Sequence, residues 1–226
     1  LEALMAARVA RRAVVLATRL RDGAQHVLPD PNAPRHLVEA AAAALDRDDS
    51  SVVETAGETW FLAVHAPPHR LLIIGAVHTA QALAPLATAA GLAVTIIDPR
   101  SGFATEERFP GTHMEIAWPD EALAMAVADG RTAVVALSHD PKLDDPALDR
   151  ALRSPAFYIG ALGSRRSHAA RLERLAEHGH TPETLARIRG PIGLPIGAVT
   201  APEIAISIVA EIVATRRKAT LNERRP

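Results

Sequence analysis

Four short segments of this 226-residue chain concentrate residue types that can do chemistry. The first, Gly75-Ala76-Val77-His78-Thr79-Ala80, follows the apolar run Leu71-Ile74. It overlaps the G-x-G-x-x-G dinucleotide fingerprint. In that pattern the first glycine makes the turn, the second admits the pyrophosphate to the backbone, and the third lets helix and strand pack closely. Here the three positions hold Gly75, Val77 and Ala80. Alanine is tolerated at the third, but Val77 puts a branched Cβ where a phosphate has to approach, which opposes ordinary pyrophosphate binding. Asp98, 23 positions after Gly75, holds the place of the acid that binds a ribose hydroxyl. Gly75, Val77, His78 and Asp98 therefore read either as a site for a nucleotide-like ligand or as a purely structural βα turn.

The second segment is Ser138-His139-Asp140-Pro141-Lys142-Leu143-Asp144-Asp145, directly after the strand-like run Thr132-Leu137. A mixture of acid, base and cation at the carboxyl end of a strand is where α/β proteins place ligands. Local geometry competes for part of this polarity: Asp145 before Pro146 suits a helix N-cap, and Asp140 before Pro141 suits a turn. His139 and Lys142 have no such local use. The third segment, Gly160-Ala161-Leu162-Gly163-Ser164-Arg165-Arg166-Ser167, follows Phe157-Ile159 and leads into a helix. Gly160 and Gly163 free the backbone, Ser164 can cap, the helix start offers unpaired amides, and Arg165 and Arg166 supply forked donors. Together these make an anion site, unless the arginines are simply solvated or paired to carboxylates. The fourth, from Gly190 to Ala198, is too apolar for a solvated loop and too rich in glycine and proline for a helix. It forms a pocket wall or supports the next helix.

Composition removes several other chemistries. The chain has no cysteine, which excludes disulfides, thiolate metal sites, iron–sulfur clusters and cysteine nucleophiles, and suits a reducing cytoplasm. None of its ten histidines forms a convincing His-x-x-x-His pair on a helix, so no metal site is expected. No G-x-S-x-G elbow occurs, and Gly163-Ser164-Arg165 lacks the second glycine. With 25 basic and 26 acidic residues, and no long basic block apart from Arg216-Arg217-Lys218, nucleic acid is not an expected partner. No apolar run approaches the roughly 20 residues that span a bilayer. Arg8, Arg11 and Arg12 interrupt the amino-terminal stretch, so neither a membrane nor a targeting segment is expected.

The elements that must position these segments follow from hydrophobic periodicity. Hydrophobic residues make up 48% of the chain and aromatics 3%, so the core must be built from alanine and branched aliphatics. Residues 1–66 read as a small α/β domain: an apolar run Ala13-Thr18, a turn at Asp22-Gly23, a helix over Arg35-Leu45, and strands near Ser51-Thr55 and Trp60-Val64. The stiff connector Ala66-Pro67-Pro68-His69 opens a second domain over 67–226. There the runs Leu71-Ile74, Val94-Ile97, Met114-Ala117, Thr132-Leu137 and Phe157-Ile159 alternate with helices after His78, Pro119, Pro146 and Arg165. That alternation predicts a Rossmann-like α/β domain, a parallel sheet with helices on both faces. Pro85 falls inside the helix after the glycine loop and predicts a kink or a late start. Thr200-Ala201-Pro202-Glu203 combines an N-cap, a first-turn proline and a capping-box glutamate. The helix it opens carries Ile204, Ile208 and Ile212 beside Ala205, Val209 and Val213, a stripe suited to covering the sheet or a second subunit.

Taken together, the Gly75 loop, Asp98-Pro99-Arg100, Phe103-Ala104-Thr105, Arg108-Phe109-Pro110, the His139-Asp145 stretch, the run Tyr158-Arg166, Pro191-Ile192-Gly193 and Ile196-Gly197-Ala198 resemble the xanthine dehydrogenase accessory protein family, XdhC/CoxI. The resemblance covers residues 70 to 215, and its most specific part is Tyr158-Arg166. It implies a non-catalytic maturation factor that binds molybdenum cofactor (molybdopterin), protects it and delivers it to an apo molybdenum hydroxylase such as xanthine or carbon monoxide dehydrogenase. It also favours a homodimer. Residues 1–66 look like a reduced form of a longer amino-terminal domain with cysteine-containing motifs. The expected cofactor contacts are Gly75, Val77, His78, Asp98, His139, Asp140, Lys142, Gly160, Gly163, Ser164, Arg165 and Arg166. The alternatives are an NAD(P)-dependent oxidoreductase, with Asp98 on the adenosine ribose and His139 as proton donor, and an interaction module with a vestigial nucleotide site.

Overall fold

A computed structural model describes residues 2–10 and 12–219; Leu1 and Arg11 of the amino-terminal stretch lie outside the described residues. The chain divides into two compact units, Leu1–Pro67 and Pro68–Pro226, parting inside the Pro-Pro connector.

The first unit contains α1 (Glu2–Val9), β1 (Val14–Arg19), β2 (Gln25–Leu28), α2 (Arg35–Arg47), β3 (Ser51–Thr55) and β4 (Glu58–His65). Its strands form an antiparallel sheet in the order β2-β1-β4-β3. Leu37, Ala41 and Ala44 recur at helical spacing along α2 and pack on Val15, Ala17, Leu28, Trp60 and Leu62. Only α1 and β2 are absent from the sequence reading. Gln25-His26-Val27-Leu28 offers too short a run to announce a strand.

The second unit contains β5 (Arg70–Ile74), α3 (His78–Ala89), β6 (Ala93–Ile97), β7 (His113–Glu115), α4 (Pro119–Ala126), β8 (Thr132–Ala136), α5 (Pro141–Leu152), β9 (Tyr158–Ala161), α6 (Arg165–Glu177), α7 (Pro182–Leu185), β10 (Ile188–Arg189) and α8 (Ala201–Arg216). Six strands form one parallel sheet in the order β10-β9-β8-β5-β6-β7. This is the doubly wound Rossmann order, which reverses direction between β5 and β8. Successive residues of β5 serve opposite faces, as strand geometry requires. Leu71 and Ile73 pack with Leu83 and Ala87 of α3 and with Ile208 and Ile212 of α8. Leu72 and Ile74 pack with Leu143 and Leu148 of α5 and with Leu175 of α6. The α8 stripe is thus spent on this chain's own sheet and α3. Glu203 accepts the backbone N–H of both Val199 and Thr200 at 2.9 Å, as the capping motif predicts.

Two expectations need correction. Of the kink or late start expected from Pro85, the late start does not occur: α3 starts at His78 and runs through Pro85 to Ala89. Pro85 itself lies on the exposed face of the helix. The helix after β8 begins at Pro141, five residues before Pro146. The N-cap is Asp140, whose Oδ1 accepts the Lys142 N–H at 2.9 Å, whereas Asp145 sits buried inside the helix. Pro141 takes the first helical position, where a proline costs nothing. Pro146 follows within the second turn and displaces only one early backbone bond. Asp140→Ala should lower stability by about 1 kcal/mol, read as a shifted urea midpoint with unchanged slope.

Candidate functional site

The carboxyl ends of β5, β8 and β9 lie side by side, tied laterally beyond the regular ladder. Leu137 N–H donates to Ile74 O at 2.9 Å, and Leu162 N–H to Ala136 O at 2.8 Å. Each strand turns directly into a helix, so α3, α5 and α6 all begin along one edge with their positive dipole ends there. Anions are favoured at such an edge.

At the switch point between β5 and β8, Gly75 adopts φ +98, and a Cβ on it would lie 2.9 Å from the Ser138 Cβ. Glycine is therefore required twice over, by conformation and by the close approach of the neighbouring loop. Val77 is the N-cap of α3, forms no side-chain cap and is partly buried against the core on the α3 face. His78 follows as an exposed first-turn residue.

Asp98 is fully buried at the end of β6. Its Oδ2 accepts the Ala76 N–H at 2.8 Å and Arg100 Nη2 at 2.7 Å; its Oδ1 accepts the Arg100 N–H at 2.9 Å and Arg100 Nε at 2.8 Å. All four lone-pair positions of the carboxylate are taken. Burial works to raise the Asp98 pKa, but the bonds from the Arg100 guanidinium, Ala76 N–H and Arg100 N–H together hold it below the ordinary carboxylate range. In this arrangement Asp98 fastens the glycine loop and presents no free oxygen to a ribose. Arg100 is partly exposed, stacks over the Phe103 ring at 4.5 Å, and feels the charge of Asp140 across the crevice.

His139 is exposed at the end of β8 with φ +62, a left-handed conformation that non-glycine residues adopt at a cost. Asp140 is the α5 cap, and Lys142 points outward from the first turn. Gly160 lies within β9 itself, where any Cβ would collide with Ile192 of the Gly190–Ala198 segment. That apolar segment thereby packs against the strand. Gly163, at φ +145, lies under Ser167, whose Oγ would be 2.6 Å from a Cβ there. Ser164 caps α6 by accepting the Ser167 N–H. Arg165 and Arg166 are exposed on the first turn and, among the described residues, have no ion-pair partner.

The structure also assembles residues that sequence reasoning did not join. A cleft of about 170 Å³ runs between α5 and α6, lined by His139, Asp144, Asp145, Ser167, Arg171 and Arg174. Arg174 and Asp145 form a forked pair, Nε to Oδ2 at 2.5 Å and Nη2 to Oδ1 at 3.1 Å. Asp144 and Arg171 are both buried. The Asp144 Oδ1 accepts the Ser138 Oγ–H at 2.6 Å, and Arg171 Nη2 donates to Leu162 O at 3.0 Å. Their own charges approach only to 3.6 Å. This leaves Asp144 Oδ2 and Arg171 Nε and Nη1 buried without a hydrogen-bond partner. Burial raises the Asp144 pKa against the opposing pull of Ser138 and Arg171, and burial lowers that of Arg171. The available signal was Arg171 four residues before Leu175, a cation on the apolar stripe of α6. Among the described residues, no group of three or more His, Asp or Glu could hold a metal, and no helix is long and apolar enough to cross a membrane.

The two buried aspartates have opposite pH signatures. A depressed native pKa at Asp98 contributes stability above the ordinary value of 3.8, lost as pH falls through the native one. Asp98→Asn should therefore cost about 3 kcal/mol at pH 7, with the deficit shrinking below about pH 4, measured by urea unfolding across that range. For Asp144, raised above 3.8, the native state holds its proton longer than the unfolded chain, so its contribution declines as pH rises through that window.

Comparison with known proteins places the chain. Residues 71–212 match the family described as the XdhC Rossmann domain. Among curated relatives, the Escherichia coli K12 molybdenum cofactor insertion chaperone PaoD is 37% identical over 150 residues, covering 66% of this chain and 41% of PaoD. A probable xanthine dehydrogenase subunit of Bacillus subtilis 168 is 34% identical over 153 residues, covering 67% of this chain and 44% of that protein. The uncharacterised Escherichia coli K12 protein YqeB is 33% identical over 159 residues, covering 70% of this chain and 29% of YqeB. The chain thus spans less than half the length of these relatives. A crystal structure from Bacillus halodurans, described as a xanthine dehydrogenase, shares the fold with a TM-score of 0.72 at 23% identity, over 99% of this chain and 65% of that one. With the Rossmann strand order, the glycine loop and the Tyr158–Arg166 turn all present, the chain belongs to the XdhC Rossmann domain family.

Proposed function

We propose that this chain is a maturation factor that holds molybdenum cofactor and passes it to an apo molybdenum hydroxylase of the xanthine or carbon monoxide dehydrogenase type, acting as a cytoplasmic carrier and not as a catalyst. The observation that carries the reading is the α6 N-terminus. Gly163 and Ser164 open the helix start just after β9, and Arg165 and Arg166, exposed beside it, have no ion-pair partner among the described residues. Free guanidinium donors at a helix N-terminus are what a phosphate-bearing ligand requires. The relationship to PaoD, named as a molybdenum cofactor insertion chaperone, supports molybdenum cofactor as that ligand.

The residues present fit such a group. Arg165, Arg166 and Ser164 would take its phosphate. The cofactor supplies oxygen-transfer and redox chemistry to the client enzyme. This chain's side chains bind and orient it, and the α5–α6 cleft would withdraw it from water. Without a cysteine, the chain offers no thiolate to the metal or to sulfur. A homodimer belongs to the same proposal, supported by the exposed apolar side chains of Ile196, Val199 and Ile206.

The competing oxidoreductase reading draws on the dinucleotide strand order, but it needs a free Asp98 carboxylate, and Arg100 closes that group. Titration with molybdenum cofactor released anaerobically from a molybdenum hydroxylase should give saturable binding, weakened at least tenfold by Arg165→Ala together with Arg166→Ala. Both residues are exposed, so the folded fraction should not change. Undiminished affinity would remove the site. Micromolar binding of NAD(H) or NADP(H) in a calorimeter would favour the oxidoreductase.

A further inference from the structure

Arg171 stands on the second turn of α6 with 4% of its surface exposed, and its hydrogen bond runs backwards along the helix, Nη2 donating to Leu162 O at 3.0 Å. Helical side chains lean toward the N-terminus, so this one reaches past the Ser164 cap to the turn before α6. Gly163 lies in that turn at φ +145, where a Cβ would be 2.6 Å from Ser167 Oγ and 3.9 Å from Arg171 Nη2. The turn is thus seated on Ser167 and Arg171. On its other side Arg171 faces Asp144 of α5 across 3.6 Å. Asp144 Oδ1 accepts the Ser138 Oγ–H at 2.6 Å and the Ser138 N–H at 3.3 Å, and the same hydroxyl accepts the Asp140 N–H at 3.1 Å. A line of polar contacts therefore joins the end of β8 and the α5 cap to the end of β9.

Stability does not account for this line. The Asp144 Oδ2 and the Arg171 Nε and Nη1 are buried without partners, and apolar residues of similar volume often serve a fold as well as a buried ion pair does. Asp144 is 1% exposed and Arg171 4%, so neither touches a ligand. What the pair supplies is direction, which hydrogen bonds have and apolar contacts lack. We propose that Arg171 is the positioning residue of the anion cradle: held by Asp144, it fixes Leu162 O and with it the turn from which Ser164, Arg165 and Arg166 depart. The inference rests on the reading of the α6 start as the phosphate-binding element. A binding constellation has to be held within about 0.5 Å of its productive geometry, and a turn containing glycine does not hold itself.

The test measures calorimetric binding of inorganic phosphate to the intact chain at low ionic strength, beside urea unfolding of each variant. Arg171→Met should weaken phosphate binding at least tenfold and lower the urea midpoint, because it leaves the Asp144 charge uncompensated. Arg171→Met combined with Asp144→Asn keeps the Ser138 contact, restores the net charge and should recover the midpoint, yet phosphate should still bind at least tenfold more weakly than to the unaltered chain. If affinity returns together with stability, the pair is structural only and the positioning role is overturned. It is equally overturned if Arg171→Met binds phosphate as the unaltered chain does. The double variant carries the comparison where Arg171→Met alone does not fold. Arg165→Ala with Arg166→Ala separates the two readings. If that variant loses affinity and the Arg171 variants do not, the cradle stands and the positioning role falls. If it keeps full affinity, or if the unaltered chain shows no saturable phosphate binding up to millimolar concentration, the α6 start is not the phosphate site and both fall.

Discussion

The Asp98 carboxylate carries a charge with no exposed surface, and it can do so only because four N–H groups converge on it. One of these is the Ala76 amide, so the charge at the end of β6 sets the path of the chain leaving β5. The other three come from Arg100, which makes the loop after β6 return over its own strand end. Removing either partner would strand a buried charge, a far larger penalty than losing a surface ion pair. The loop geometry at the switch point, including the Gly75 approach to Ser138, follows from satisfying that one group. A dinucleotide-binding relative of the fold uses the same acid on a ligand. Here it is used on the protein, holding the Ala76 amide and Arg100.

The opposite condition holds one strand further along. Between α5 and α6 a second buried charge pair is only half satisfied, with Arg171 and Asp144 3.6 Å apart and three polar atoms unpartnered. Fold stability alone would favour apolar residues of similar volume at these positions. The sheet edge thus has a closed half, at Asp98 and Arg100, and an open half, at Arg171 and Asp144. The two buried acids thus do different things for the fold: Asp98 is fully satisfied, whereas Asp144 and Arg171 keep unpartnered polar atoms between the helices.

Much of this architecture is readable in the chain itself. The apolar runs Leu71-Ile74 and Thr132-Leu137 are buried on both sides and could only be central parallel strands. Ser164-Arg165 and Thr200-Glu203 mark helix starts within a residue of where they occur. Pro146 misled because a proline is tolerated early in a helix as well as at its first position, and Asp140-Pro141 is the stronger cap. Asp98 matched its motif position while its chemistry differed, since spacing reports where a side chain sits and not what reaches it first. Arg100, two residues away, decides that. The α5–α6 cleft was hidden for a different reason. Its acids and bases are about 30 residues apart, as with Asp145 and Arg174, and only the packing of two helices brings them together.

For the proposed carrier, the part of this edge that suits an anion is the α6 helix start. Catalysis needs groups placed where charge develops in a transition state. Arg165 and Arg166 are exposed beside the α6 start, as a resting anion would require, whereas Asp144 and Arg171 are buried between the helices. A carrier must also let go, and with Arg165 and Arg166 both exposed the proposed carrier would leave the anionic end of its ligand within reach of a receiving protein, which could compete for it at the surface.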